Sequence, residues 1–423
     1  MKQITIDIET ASDENINNCG VYRYAESEYF DLLLVSYSID NGPIATCDIA
    51  NGEKLPDDVL KAFIDRAVSK KGFNVNFERI SLSVYLRKNY PDLLDFDDAV
   101  GNYIDPVSWQ CDMIHSRYLG MMSSLEDMAK LLRLREKKMS EGKELIKYFC
   151  TLHEDKNGNP FFHDKSDSPK DWKKFKEYNR RDVEVELKIQ RYLSEIPVPD
   201  FIWEEFYIDQ RINDRGILVD TDFAAKAVEL DSIVRKELFQ KLSELTHLDN
   251  PNSPAQMKEW LMCRGIETES LDKKSVQKLS EKVPDDVKEV LRLYQQLSKS
   301  SVSKYSAMLN AVCEDRARGM FSFYGANRTG RFAGRLIQLQ NLPQNHLDNL
   351  AELKGLIKAG EFDAVKESNE DVPDVLSQLI RTAFIPPEDK KYIVADFSAI
   401  EARVIAWLAD EKWRIQAFAN GED

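Results

Sequence analysis

Five carboxylates and one phenol in this sequence stand at spacings that chemistry could use. Asp7 and Glu9 lie two apart in Ile4-Thr5-Ile6-Asp7-Ile8-Glu9-Thr10, close to the N-terminus. Period-2 alternation turns Ile4, Ile6 and Ile8 one way and Thr5, Asp7 and Glu9 the other. Two acids on one strand face repel, and a divalent cation would resolve that repulsion. A solvent-facing acidic edge strand has the same pattern. Asn74 and Glu78 are four apart in a stretch running into a helix; alone, such a pair is mostly surface. Tyr178 and Asp182 are also four apart, which on a helix puts them on one face. A phenol beside a carboxylate could hold a water for attack on phosphorus, although an ordinary amphipathic helix also carries such pairs. Asp396 closes the apolar run Tyr392–Ala395, and Ile400, Val404 and Leu408 then fall on one helical stripe. Ser398 is the expected N-cap, with Glu401 completing a capping box. A carboxylate at such a strand end can face a cleft; a buried strand with a polar cap reads the same.

These residues need elements to hold them. Asp31–Ile39 reads as a second strand before the turn Asp40-Asn41-Gly42-Pro43, and helices are expected over 60–68, from the Asn74 stretch to about 88, and over 125–134. Residues 171–193 form a helix whose Val185, Ile189 and Leu193 serve a core. Pro197 and Pro199 mark a linker, and a domain boundary is placed there. Beyond it, helical patterns cover 203–213, 221–245, 254–263, 275–279 and 285–309, with Gly216 turning into a short strand.

A chain of 423 residues is too long for one core and suggests two or three domains. No apolar run approaches the length of a membrane span. The strand pattern begins at once, so no signal peptide is expected, and the expected location is the cytoplasm. The six cysteines are scattered without a C-x-x-C pair and read as reduced thiols. The five histidines show no ligand spacing, so any metal would be held by carboxylates.

The net charge of −15 alone argues against nucleic acid, but its distribution does not. From Arg292 to Arg335 there are eight basic residues against two acids, with Tyr294, Tyr305, Phe321, Phe323 and Tyr324 interleaved. A solvated basic face or a nucleic-acid groove would look like this. Small hydroxyls with Lys299 and Lys304 in Ser298–Tyr305 suit phosphate contacts that read no bases. Asn327-Arg328-Thr329-Gly330-Arg331-Phe332 and Gln338-Leu339-Gln340-Asn341-Leu342-Pro343 gather side chains capable of bidentate hydrogen bonds.

The constellation D-x-E, N-x-x-F-E and Y-x-x-x-D, in that order, resembles the proofreading 3′–5′ exonuclease domain of family A (DNA polymerase I-like) DNA polymerases. The resemblance implies an α/β, RNase H-like domain over residues 1–195. There, four acids would hold two divalent ions, Mg²⁺ or Mn²⁺, about 4 Å apart. Asp7 and Glu9 match the first motif, Asn74 and Glu78 the second, and Asp182 the third, with Tyr178 orienting water. Glu78 departs from the usual Asp. Residues 141–150 resemble a segment of phage-borne members. Residues 196–320 would be a helical thumb with connecting segments, where Lys299 and Lys304 contact DNA. Residues 321–423 would be the N-terminal part of the polymerase palm. Thr329-Gly330-Arg331 and Gln340-Asn341 resemble its minor-groove segment, Arg331 touching the primer end and Gln340 and Asn341 the duplex. Asp396–Arg403 resembles motif A. Asp396 would bind the polymerase metals, Glu401 would exclude a ribose 2′-OH and Arg403 would support the nucleotide site. Phe397 and Ala399 depart from the commonest residues.

No finger helix and no second palm carboxylate follow Asp396. The expectation is therefore the N-terminal portion of a phage or prophage family A polymerase, ending just after motif A. Its chemistry would be 3′–5′ exonuclease action on DNA, with polymerase activity of this chain alone not expected. The alternative is a catalytically inert DNA-binding half of a split polymerase. The partners implied are primer–template, a single-stranded 3′ end and a second chain with the fingers and remaining palm; no membrane is implied, and the place is a bacterial host cytoplasm.

Overall fold

The computed structural model describes residues 1–94, 102–135, 139, 141–326 and 328–422; Asn327, which opens the Thr-Gly-Arg segment, lies outside them. The first layer is a five-stranded sheet of β1 (Gln3–Ala11), β2 (Asp31–Ile39), β3 (Ile44–Asp48), β4 (Ser69–Gly72) and β5 (Trp109–Cys111), in the order β3-β2-β1-β4-β5. β1 pairs antiparallel with β2, and β2 with β3, whereas β1–β4 and β4–β5 are parallel. Ile6 stands opposite Tyr37 and Asp7 opposite Ser36. β1 is thus the central strand, and the solvent-facing edge strand is excluded for Asp7 and Glu9. Alternation along β1 sets two buried faces rather than one, with Thr5 and Thr10 as buried as the isoleucines.

Helices of this half are α1 (Ile16–Glu26), α2 (Asp57–Ile64), α3 (Asn76–Asn89), α4 (Asp112–Tyr118), α5 (Leu125–Leu131), α6 (Gly142–Phe149) and α7 (Pro169–Leu193). α7 lies across β1, β2 and β3, and its Phe175 and Tyr178 pack with Ala11, Leu33 and Leu34. α8 (Asp200–Arg215) follows the two-proline linker. Its Ile202, Trp203 and Phe206 join the core of the sheet, with Ile4, Ile6 and Trp109.

A second core begins at Val219. It is built by α9 (Thr221–Thr246), α10 (Pro254–Met262), α11 (Lys273–Ser280), α12 (Asp285–Leu297), α13 (Ser303–Ala311), α14 (Leu350–Ala359), α15 (Phe362–Ser368) and α16 (Val372–Leu379). Leu230, Val234, Leu238 and Leu242 of α9, four apart, form its spine. The single helix expected over 285–309 is two, broken at Ser298–Val302. Short antiparallel pairs close the region, including a hairpin of Phe321–Ser322 with Ala333–Gly334. All six cysteines are free, and among the described residues no helix is long and apolar enough to cross a membrane.

The residues divide into two units, Met1–Ile385 and Pro386–Asp423. In the second, α17 (Ile400–Leu408) packs on α18 (Lys412–Ala419). The strand expected at Tyr392–Ala395 is absent, and Ile393 and Val394 are 87% and 90% exposed. Without paired neighbours, β propensity alone does not make a strand. The N-cap expected at Ser398 falls one residue later. Ala399 occupies the cap position at φ 49°, left-handed, with no side-chain cap bond. Ser398 lies one residue before it, and its carbonyl accepts from Arg403 Nε at 2.7 Å.

A buried ion pair fixes α3 to α8. Arg79 Nη1 and Nη2 donate to Asp214 Oδ2 and Oδ1 at 2.9 and 2.7 Å, and Tyr22 donates to Asp214 at 2.6 Å. Burial alone would pull the Arg79 guanidinium down, but Asp214 and Tyr22 hold it above its usual range. Arg79 follows Glu78 directly, so this pair also sets where the Glu78 turn stands.

Candidate active site, a carboxylate cleft faced by arginines

β1 supplies the first acid. Asp7 Oδ2 accepts from Asn179 Nδ2 at 2.6 Å, and the same amide donates to the Asp7 carbonyl at 3.1 Å. Asn179 is fully buried on α7, so helix and central strand are stitched at the acid itself.

α3 supplies the second. Asn74 does not share its helix: it sits at φ 78°, two residues before α3 begins, and the left-handed turn there re-aims the chain. Glu78 lies in the first turn, buried, with Oε2 lacking a hydrogen-bond partner. Burial first and the charge of Asp7 second push its carboxyl well above the usual range.

α7 supplies the rest. Tyr178, Asp182, Glu186 and Gln190 recur every four residues and form a polar ladder on one face. Glu186 Oε1 accepts from the Phe73 amide at 3.1 Å, while Oε2 is unsatisfied. Its carboxyl is raised well above the usual range by burial, then by Asp7, Asp112, Glu78 and Asp182. Gln190 accepts from Thr5 Oγ1 at 3.0 Å and donates to Asp112 Oδ2 at 2.7 Å.

Burial raises Asp112 from its ordinary 3.8 to about 7. The unfolded chain releases this proton near 3.8 and the folded chain near 7. The folded state therefore binds more protons in between, and stability falls as pH rises through that window. Asp112→Asn cannot titrate. It should remove roughly 4 kcal/mol of the stability difference between pH 4 and pH 8 in EDTA, because each pH unit between the two pKa values is worth about 1.4 kcal/mol. Urea midpoints at the two pH values measure this; an unchanged difference would show that Asp112 is not the group responsible.

A cavity of about 600 Å³ opens beside the ladder. Asp7, Asn74, Asp182 and Glu186 line it, and so do Arg117, Ser123, Ser322 and Arg335. The structure therefore brings Asp7 and Asp182 together in one cavity, with Glu78 buried beside them. Glu9 is not on that wall. The strand bulges between Glu9 and Thr10, and Glu9 is buried where its charge acts on Tyr24 and Cys150. Tyr178 is buried too, stacked on Phe175 at 6.4 Å between ring centroids. Gly142 closes over it so tightly that a Cβ there would stand 2.3 Å from the ring, and only glycine fits.

The donor set suits a hard divalent ion: all oxygen, mutually repelling, with Glu78 and Glu186 each keeping a buried carboxylate oxygen unsatisfied. Among the described residues, however, no three His, Cys, Asp or Glu side chains converge enough to hold one ion.

The residues expected on duplex lie elsewhere. Lys299 is ion-paired to Asp374, and Lys304 is half-exposed on α13. Arg331 is exposed in the loop of the 321–334 hairpin, beside Gly330 at φ 68°. Gln340 and Asn341 are exposed on a short 3₁₀ turn. The Gln340 amide oxygen lies over Gly334, 2.4 Å from where a Cβ would be. In the second unit, Asp396 and Glu401 are exposed, and the Arg403 guanidinium lies over the Phe418 ring at 4.5 Å.

Residues 226–423 match the family model described as DNA polymerase family A. Over 422 residues the chain is 41% identical to a DNA polymerase of Bacillus phage SP02, covering 99% of this chain and 63% of that protein. The chain is similar to family A DNA polymerases over residues 226–423, and to a phage DNA polymerase over nearly its whole length. It thus spans under two thirds of the phage relative's length. A DNA polymerase I of Borreliella burgdorferi is 26% identical over 241 residues, 56% of this chain and 23% of that protein. Among solved structures, the fold is shared with the POL domain of Pol1 from M. smegmatis, in complex with DNA primer-template and dNTP. That likeness has TM-score 0.58 and 15% identity, over 99% of this chain and 62% of the other. The carboxylates of the cavity lie before residue 226, outside the matched family segment, whereas its Ser322 and Arg335 lie within it; all fall within the span shared with the phage protein.

Sequence reasoning missed Asn179, Glu186, Arg117 and Arg335. Glu186 carried a signal, one turn beyond Asp182. Arg335 stood in the basic stretch already noted. Nothing local marked Asn179 or Arg117.

Proposed function

We propose that this chain is the N-terminal part of a DNA polymerase and acts as a metal-dependent 3′–5′ exonuclease on DNA. The observation carrying this reading is one repelling set, the buried Glu78, Asp182 and Glu186 with the half-buried Asp7, of which Asp7, Asp182 and Glu186 line one open cavity. The sheet order with its parallel β1–β4–β5 half supports an RNase H-like domain over 1–195. The helical second core supports a thumb over 196–320, and the match at 226–423 supports a palm portion from 321. The DNA partner is supported by the primer-template complex of the structural relative.

In this reading Asp7, Glu78 and Asp182 would hold Mg²⁺ or Mn²⁺. Such ions, when bound, activate water and stabilise the departing 3′ oxygen. Asn179 fixes the Asp7 carboxylate through its amide. Asn74, at the cavity wall, has an amide free to meet sugar or phosphate of the terminal nucleotide. Glu9 and Tyr178, both buried behind this wall, support it from within. Asp396, Glu401 and Arg403 would serve nucleotidyl transfer only with fingers and further palm. The exposed Phe397, Trp407 and Leu408 would meet that partner surface.

The absence of a converged three-carboxylate cluster among the described residues favours a second reading, an inert DNA-binding half of a split polymerase. The test is incubation with 3′-labelled single-stranded DNA and Mg²⁺ or Mn²⁺. Mononucleotide release that stops in EDTA supports the nuclease; no release at any metal concentration supports the inert half. Primer extension by this chain alone would overturn the incomplete palm.

A further inference from the structure

The acid cavity has a second charged surface that its carboxylates do not use. Arg117 comes from α4 and Arg335 from just after the 321–334 hairpin, more than two hundred residues later in sequence. Both line the cavity that Asp7, Asp182 and Glu186 line. Arg117 is clamped in place: Nε donates to Ser123 Oγ at 3.2 Å, and Nη1 to Ser322 Oγ at 3.1 Å and the Phe323 carbonyl at 3.4 Å. All three acceptors are neutral. Arg335 is exposed, and its charge bears on Arg117; burial and that like charge both lower the Arg117 pKa. Two like charges held near one another in a cleft are stabilised by an anion between them.

The acid wall cannot itself receive an anion. A ligand filling the cavity must present one phosphate to whatever ions the acids hold and another anionic group to the arginines. A single strand of DNA, with phosphates at regular intervals, has that chemistry. We infer that Arg117 and Arg335 form a clamp for the phosphodiester adjacent to the scissile one in a single-stranded 3′ end. The inference rests on the proposed exonuclease reading of this cavity. It also makes the site composite, because Arg335 and Ser322 belong to the segment that carries Arg331. The hairpin that would approach the primer on one side anchors Arg117 on the other.

Arg335 can be tested without disturbing the fold, since its side chain is exposed. Binding of a fluorescent oligothymidylate is measured by anisotropy in EDTA, where no hydrolysis occurs. Arg335→Ala should weaken binding about tenfold and reduce the salt slope by about one, whereas Arg335→Lys should recover part of both. Oligonucleotides with one neutral methylphosphonate linkage then locate the contact. Neutralising the linkage next to the 3′-terminal one should weaken the wild type but leave Arg335→Ala unaffected. Equal affinity and salt slope for wild type and Arg335→Ala would overturn the clamp. So would a loss on free thymidine monophosphate as large as that on the strand, because the contact would then be with the product phosphate. A chain that binds through Arg335 yet releases no nucleotide in Mg²⁺ would overturn the nuclease reading and leave the clamp standing.

Discussion

Asp7→Ala should lower Mg²⁺-dependent mononucleotide release by about three orders of magnitude, the several kcal/mol of transition-state stabilisation that a displaced ion supplies. It should do so without unfolding the chain. Removing this carboxylate relieves repulsion on Glu78 and Glu186, both of which feel its charge. It gives up the 2.6 Å hydrogen bond from Asn179, which retains its 3.1 Å bond to the backbone carbonyl. These effects are each about 1 kcal/mol and oppose one another. Stability in EDTA should therefore stay close to that of the wild type. The stabilisation Mg²⁺ gives the wild type by binding only the folded state should shrink or vanish in the variant. Thermal melts with and without Mg²⁺ read that difference. An Asp7→Ala chain that keeps its rate, or that melts far below the wild type in EDTA, would mean Asp7 is structural.

Asp214→Ala should have the largest effect on stability, about 3–5 kcal/mol. Arg79 and Asp214 are both fully out of water, and Asp214 accepts from Arg79 twice and from Tyr22. Without the carboxylate, a buried guanidinium keeps its desolvation penalty and loses its counter-charge. Tyr22→Phe, which removes one hydrogen bond only, should cost about 1 kcal/mol. Arg79→Met combined with Asp214→Leu should recover most of the loss, because no buried charge is left unpaired. Urea unfolding of the four chains checks the order. If Asp214→Ala costs no more than Tyr22→Phe, water reaches the pair and the ion pair is not what joins α3 to α8. Since Arg79 adjoins Glu78, Asp214→Ala should also weaken excision beyond its effect on stability.

The long helices were legible because their information is local. Val185, Ile189 and Leu193 on α7 and the four-residue spine of α9 repeat with the helix, and both elements form close to where that pattern puts them. Acid spacing was legible for the same reason. Asp7, Glu78 and Asp182 could be singled out from three separate segments, and their electrostatic coupling follows from how the sheet and α7 meet.

Other features depended on neighbours remote in sequence. Alternation in Ile4–Thr10 could not say whether β1 was an edge or the centre; pairing with β2 on one side and β4 on the other decided it. Glu9, two residues from Asp7 on the same strand, does not line the cavity, and one left-handed residue took Asn74 off the helix of Glu78. Lys299 looked available for phosphate until Asp374, far along the chain, paired with it. Tyr392–Ala395 had strand propensity but no strand to pair with. Arg117 had no local signature, and the basic stretch that holds Arg335 did not say what it faced, because the two meet only where α4 packs on the 321–334 hairpin. By itself the sequence determined the long helices and the spacing of the acids, and its motif order pointed to the family whose model residues 226–423 match. The tertiary structure decided which acids share a cavity and what faces them, because burial, register and charge pairing are properties of contacts between distant segments.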